Sequence, residues 1–179
     1  HDLNTNEDVN LLLSAASIIV SDPDVSDALN GKIQLDIVPS HHAVVSVTST
    51  EYENGLTRQP LVGDHSGALS FTGTLSRINL LLSGGLMYSP PPGYFGNSTT
   101  ITITVNDLGN TGGESFTSLH ATTTIAVNVA SVDDPAVLHV NNNVPTLGHN
   151  LEYTGSEDIE MSFPPVSLYD PDNPNGDGD

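Results

Sequence analysis

The sequence predicts an all-β sandwich with one short helix near residues 75–82. Three observations carry that reading. Period-two alternation of apolar and polar residues runs through Lys32 to Ile37, Ile101 to Val105 and Thr123 to Val129, as expected of strands with one face in a core and one in water. Turn-forming residues punctuate the chain at strand-length intervals. The composition also suits strands, since 17 Thr and 19 Ser accompany Val-rich and Ile-rich runs.

The elements follow in chain order. Asp22-Pro23-Asp24 and Asn30-Gly31 are turn signals before the first alternating run, in which Ile33, Leu35 and Ile37 face one way. His41-His42 stands at the start of another strand, where adjacent side chains face opposite sides. Asn54-Gly55 and Gly63 to Gly67 mark further turns. Leu75, Ile78 and Leu82 then recur at i, i+3 and i+7 behind Thr74, a candidate N-cap, so this segment reads as a helix with Arg77 outside. Gly84-Gly85 ends it, and Pro90-Pro91-Pro92-Gly93 leads toward the Ile101 strand. A loop from Asp107 to Gly113 precedes the last run, which carries Thr123, Ile125, Val127 and Val129 on one face. Asp133-Asp134-Pro135 is a natural boundary because Pro ends the preceding strand and starts an extended linker. The expected domains are a sandwich over residues 1–135 and the opening strands of a second unit over 136–179.

Charge narrows the function. There are 22 acidic side chains against three basic ones, for a net charge of -19. Binding phosphates requires clustered Lys and Arg, and Lys32, Arg58 and Arg77 are the whole supply, so nucleic acid and anionic membranes are excluded as partners. A charged fraction of 14% beside 36% hydrophobic residues also excludes a disordered acidic tail. No apolar run reaches the length of a membrane span, so no membrane insertion is expected. Zero cysteines remove thiol catalysis, thiolate metal sites and disulfides. The chain starts at His1 rather than Met with no visible signal peptide, and reads as a processed or excerpted piece of something longer.

The chain repeats itself. His1-Asp2-Leu3, Glu7-Asp8-Val9 and Asp22-Pro23-Asp24 recur as His149-Asn150-Leu151, Glu157-Asp158-Ile159 and Asp170-Pro171-Asp172, at offsets of 148, 150 and 148 residues. A unit followed by the opening of a second explains this order and spacing. In the tail, Ile159, Met161, Phe163, Val166, Leu168 and Tyr169 form an apolar segment of strand character that too few residues accompany to close a sandwich. Either further residues of that unit complete it, or the segment adds a strand to a neighbouring molecule's sheet.

A series of short motifs runs through residues 69–135: Leu69-Ser70-Phe71-Thr72-Gly73-Thr74, Ile78-Asn79, Leu82, Met87-Tyr88-Ser89-Pro90, Gly93-Tyr94-Phe95-Gly96, Thr102 through Gly112, and Val132-Asp133-Asp134-Pro135. In this order and spacing they resemble the cadherin-like tandem repeats of large secreted surface adhesins. The resemblance implies an immunoglobulin-like sandwich in an extracellular or cell-surface array, often stiffened by calcium at the junctions. Asp133 and Asp134, with Glu157 or Asp158 and Asp170 plus Asp172 of the next unit, match that family's junction pattern. Glu7, Asp8, Asp22 and Asp24 would serve the preceding junction, and Asp107 fits either end. Calcium takes six to eight oxygen ligands, which convergent carboxylates supply. The competing reading makes Asp-Pro-Asp and Asn-Asp-x-Gly plain turn formers.

Other motifs carry less. The run from Asp170 to Asp179 resembles an EF-hand loop, but Pro174 holds a ligand position and Asn175 replaces the loop glycine. Gly63-Asp64-His65-Ser66-Gly67 places triad residue types side by side, where adjacent residues point apart rather than forming a relay in space. His41-His42 lacks two further convergent zinc or nickel ligands. No enzyme is expected. Asn97-Ser98-Thr99 is a single N-glycosylation sequon at a turn entering a strand, and Thr100, Thr102 and Thr104 offer hydroxyls for O-linked sugars. The leading expectation is a structural repeat of an extracellular fibre or giant adhesin, a spacer or polymer unit whose partners are neighbouring repeats or identical subunits. The alternative is a module binding carbohydrate or a partner cell surface, with Tyr52, Tyr88, Tyr94 and Phe95 as the available aromatics.

Overall fold

The computed structural model describes residues 3–13, 18–23, 31–48, 53–59, 67–109, 118–135, 137–140, 156–158, 160 and 166–169. The chain divides into two compact units, His1–Ser131 and Val132–Asp179. The first unit contains β1 (Leu3–Asn6), β2 (Leu11–Leu13), β3 (Lys32–Pro39), β4 (Val44–Val47), β5 (Thr57–Arg58), β6 (Leu69–Thr74), α1 (Leu75–Ser83), β7 (Leu86–Ser89), β8 (Gly96–Asn106) and β9 (His120–Ala130). Its strands form a six-stranded sheet in the order β1-β9-β8-β3-β6-β5 and a three-stranded sheet in the order β2-β7-β4. The two share one core, which makes the unit an all-β sandwich with one helix.

Alternation builds that core. In β3, Ile33, Leu35 and Ile37 are fully buried, while Gln34 and Asp36 lie on the other face. Antiparallel register sets Leu35 between Phe71 of β6 and Val105 of β8, and Ile37 between Leu69 and Ile103. The smaller sheet answers with Leu13, Val45, Leu86 and Tyr88, and α1 adds Ile78, Leu81 and Leu82. Fully burying a side chain such as Ile33 or Phe71 contributes about 1.5–3 kcal/mol, so this inner layer holds the two sheets together. The face of the larger sheet away from the core is rich in hydroxyls and amides. One row runs from buried Ser70 through Asp36 and Thr104 to exposed Thr122, and a second through Thr72, Gln34, Asn106 and His120. Asp36 accepts from Ser70 Oγ at 2.5 Å and from Gln34 Nε2 at 3.0 Å, so its charge is solvated within the sheet.

Helix α1 buries Ile78, Leu81 and Leu82, so Leu81 joins the i, i+3, i+7 stripe while Leu75, its first member, is only partly buried. Thr74 stands at the N-cap with extended dihedrals but makes no capping bond, and its hydroxyl lies 3.2 Å from that of Ser76 instead. The helix ends at Gly84-Gly85, where Gly85 takes a φ of 85° and its N–H donates to the Leu82 carbonyl at 3.1 Å. Arg77 is exposed, as expected. Asn79 reaches the segment before β3: it accepts from the Val20 N–H at 2.9 Å and donates to the Val20 carbonyl at 2.8 Å. One side-chain amide thereby satisfies both backbone groups of a residue outside any strand.

His41 and His42 occupy the turn between β3 and β4 rather than a strand start. Both have positive φ, 55° and 59°, and Ala43 N–H donates to the Ser40 carbonyl at 3.1 Å. Two successive positive values match a type I′ turn, here carrying the chain from the larger sheet to the smaller one, and histidine is among the few residue types enriched in that region. Gly67 is required by close approach, since a Cβ there would collide with the Ala43 carbonyl while its own carbonyl accepts from Val45 N–H at 2.8 Å.

Strand β1 runs parallel to β9, with Leu3 opposite Val127, Asn4 opposite Asn128 and Asn6 opposite Ala130, whereas β8 and β9 are antiparallel. The second unit, among its described residues, contains β10 (Val137–Val140) and β11 (Val166–Tyr169), paired antiparallel with Val137 opposite Tyr169. The tail residues expected to have strand character thus supply β11. Ile159, Met161 and Phe163 lie outside the described residues.

Candidate functional site

The carboxylates anticipated at the unit ends occupy different places. Glu7 is 3% exposed and its N–H donates to the Ala130 carbonyl at 2.8 Å, at the C-terminal end of β9. Asp8 follows with φ 57° and accepts at Oδ1 from the Gly93 N–H, 3.1 Å away, tying the N-terminal turn to the proline-rich turn before β8. Asp22 lies at the other end of β9, lining a groove of about 540 Å³ with Asp107, Leu119 and His120. The eleven residues of β9 span about 35 Å, so Glu7 and Asp8 do not share an end with Asp22. In the second unit Asp133 is exposed, Asp134 half-buried, and Glu157 and Asp158 exposed in a turn. Asp24, Asp170 and Asp172, the EF-hand-like run and the Gly63 to Ser66 motif fall outside the described residues.

Asp107 is committed to its own loop. It is 6% exposed, and its Oδ1 accepts from the N–H groups of Gly109 at 2.9 Å and Leu119 at 2.7 Å. Its N–H donates to the Leu119 carbonyl at 3.0 Å. One carboxylate oxygen therefore staples both sides of the β8–β9 connection, the turn-forming role that competed with ion ligation.

A second, shallower groove lies near the start of β8. It measures about 480 Å³ and runs between the β1–β9 ladder and the Phe95-Gly96-Asn97 segment. The parallel register brings Asn4 beside Asn128, and Asn128 Nδ2 donates to Asn4 Oδ1 at 3.1 Å. Phe95 stands 49% exposed at the margin, and Asn97 is exposed where β8 breaks register with β9 between Gly96 and Thr99. Of the expected carbohydrate-facing aromatics, Tyr88 is excluded because it is fully buried. Tyr94 is half-buried, and Tyr52 lies outside the described residues. Asn4, Asn6 and Asn128 escaped the sequence reading. Alternation with Leu3, Thr5, Val127 and Val129 marks them as wet-face residues, but only the parallel pairing brings them together.

A cluster of hydroxyls surrounds Tyr94. Tyr94 Oη lies 3.3 Å from Ser98 Oγ, and its ring packs on His41 with centroids 5.4 Å apart. The Tyr88 and Thr99 hydroxyls are close enough to affect proton release but not in hydrogen-bond geometry, so both are buried without a partner among the described residues. Burial pushes the Tyr88 phenol above its usual value, opposed by Thr99 and reinforced by Tyr94. Hydrogen bonding with Ser98 is the main cause that pulls the Tyr94 phenol down. Ser40 Oγ and His41 Nδ1 are 2.9 Å apart, a serine–histidine contact, yet Ser40 Oγ also accepts from the Thr100 N–H at 2.9 Å. That bond anchors the turn to β8, and among the described residues no carboxylate orients the imidazole, so the pair lacks the relay that nucleophilic catalysis uses.

No protein-family model matches the chain, and no curated protein matches it. Among solved structures it is similar to the collagen-binding subdomain of the Enterococcus faecalis surface protein ACE, with a TM-score of 0.31 and 8% identity over 59% of this chain and 78% of that one. No helix among the described residues is long and apolar enough to cross a membrane.

Proposed function

We propose that the chain is a structural repeat of an extracellular fibre or large adhesin, one sandwich followed by the opening of a second. One observation carries the reading. The Glu7-Asp8 turn has its aspartate at φ 57°, and the Glu157-Asp158 turn, 150 residues later, has its aspartate at φ 63°. A left-handed aspartate is uncommon enough that its return at the same place in a repeated motif supports a repeated local structure.

In this reading the linker carboxylates Asp133 and Asp134 would join Glu157, Asp158, Asp170 and Asp172 in binding calcium at a junction. Glu7 and Asp8 would serve the junction before the first unit. Two carboxylates are fewer than the six to eight oxygens calcium takes, so the first unit's Glu7-Asp8 turn requires donors from elsewhere. The acidic composition and absence of cysteine suit such a spacer, whose stability comes from core and cation rather than disulfides.

Fusing additional copies of residues 1–148 ahead of the full chain and measuring maximum dimension by small-angle X-ray scattering tests the proposal. An equal increment per added copy is expected for a spacer. A dimension that fails to grow regularly refutes it.

A further inference from the structure

We propose that the groove between the β1–β9 ladder and Phe95 is a binding subsite for a neutral glycan. This goes beyond the spacer reading and stands on separate residues. Three features of the groove point to the same ligand chemistry.

The first is a prearranged amide pair. The Asn128 to Asn4 bond uses one donor and one acceptor, leaving Asn4 Nδ2 to donate and Asn128 Oδ1 to accept. Turning both amides over reverses the bond and leaves the same complement. Adjacent hydroxyls of a sugar each donate and accept, so a vicinal diol matches this pair, with Asn6 and Asn97 providing further amides along the groove. The second is Phe95. The residue is 49% exposed although Phe71 and Tyr88 are fully buried. The C–H face of a pyranose is apolar with outward positive polarity, and stacks on the negative face of an aromatic ring. The third is charge. No residue lining the groove is charged, while the whole chain carries -19. Glycans bearing uronate, sulfate or sialate would be repelled without a compensating cation, so a neutral sugar is the complementary class. The groove, about 480 Å³, is within the usual size of small-ligand sites.

Asn97 adds a second source of the same chemistry, because a sugar linked to the sequon Asn97-Ser98-Thr99 would start at the groove itself. The experiment separates the two. The full chain, produced in a bacterial host without N-glycosylation, is applied to an array of neutral and anionic glycans. The tightest-bound neutral oligosaccharide is then titrated calorimetrically against wild type, Phe95→Ala and Asn4→Ala. Selective binding of neutral glycans, weakened about tenfold or more in each variant, is expected. Circular dichroism melting checks that the variants fold, and Asn128→Asp, which keeps shape while replacing amide by carboxylate, supplies an additional probe. In protein from an N-glycosylating host, masking of the subsite that Thr99→Ala relieves by removing the sequon, at a residue that does not line the groove, identifies the attached sugar as occupant. No binding by both unglycosylated wild type and glycan-free Thr99→Ala, a preference for anionic glycans, or affinity unchanged from wild type in Phe95→Ala and Asn4→Ala would overturn the proposal.

Discussion

Tyr88 shows how one atom can set a pH dependence. Its ring fills the core between β2 and β4, while its hydroxyl is buried with no hydrogen-bond partner among the described residues. Ionising it would place a charge in an apolar interior, which is why burial raises its pKa. A raised folded-state pKa means that the native chain holds a proton that the unfolded chain releases. The associated stability is complete below the unfolded phenol value, about 10, and is lost as pH climbs toward the raised one. Tyr94 is shifted in the opposite direction, but its phenol sits near the surface and its contribution is screened by solvent. An ultraviolet absorbance titration should therefore show Tyr94 ionising early, with Tyr88 ionising last and together with loss of near-ultraviolet dichroism. Tyr88→Phe should abolish the late phase and leave the native state no less stable, because it removes an unmet polar group. Simultaneous ionisation of all tyrosines in folded protein would contradict the assignment.

The β8–β9 connection shows the same logic in an element. Asp107 Oδ1 satisfies the Gly109 and Leu119 N–H groups, so Asp107→Ala would strand two backbone donors and cost about 2–3 kcal/mol in a urea unfolding experiment. Asp107→Asn keeps an acceptor oxygen and should recover most of that loss. Both effects should be independent of calcium, whereas a loss that disappears in chelator would make Asp107 an ion ligand. Local pattern made the hairpin strands legible in sequence: alternation located β3, β8 and β9, and apolar spacing located α1. Pairing across long separations was not legible. Nothing local to Leu3–Asn6 announces a parallel partner more than a hundred residues away, so the amide pair of Asn4 and Asn128 could not be foreseen. The histidine turn was also hidden, because positive φ at two successive non-glycine residues comes from the tight Ser40–Ala43 turn that carries the chain from one sheet to the other, which no local pattern announces. Phe95 could be named as a candidate aromatic from sequence, but its distinction from Tyr88 required knowing that Tyr88 points into the core from β7 while Phe95 stands exposed in the turn before β8.

At the scale of the whole chain, the net charge of -19 opposes compaction, and the carboxylates responsible are unevenly spread. Twelve of the 22 acidic residues stand in the repeated Glu-Asp and Asp-Pro-Asp motifs, the Asp133-Asp134 linker and the last residues, Asp177 and Asp179. Two cation effects follow, and they can be separated. Any salt screens repulsion over a Debye length of about 8–10 Å, so sodium chloride should raise the melting temperature smoothly. A specific junction site would add a saturable effect of calcium at matched ionic strength, because ligand at about 100 times its dissociation constant adds about 2.7 kcal/mol to folded stability. For a chain of this size that corresponds to a rise of roughly 5–10 °C. Magnesium should give much less, since it prefers six ligands in a tight octahedron and sheds water reluctantly. The measurement is differential scanning calorimetry of wild type and of Asp133→Asn/Asp134→Asn in sodium, magnesium and calcium chlorides. A calcium increment present in wild type and lost in the double variant supports ligation at the linker. Equal curves in all three salts would leave only screening, and the clustered charge would then serve repulsion between units rather than their bridging.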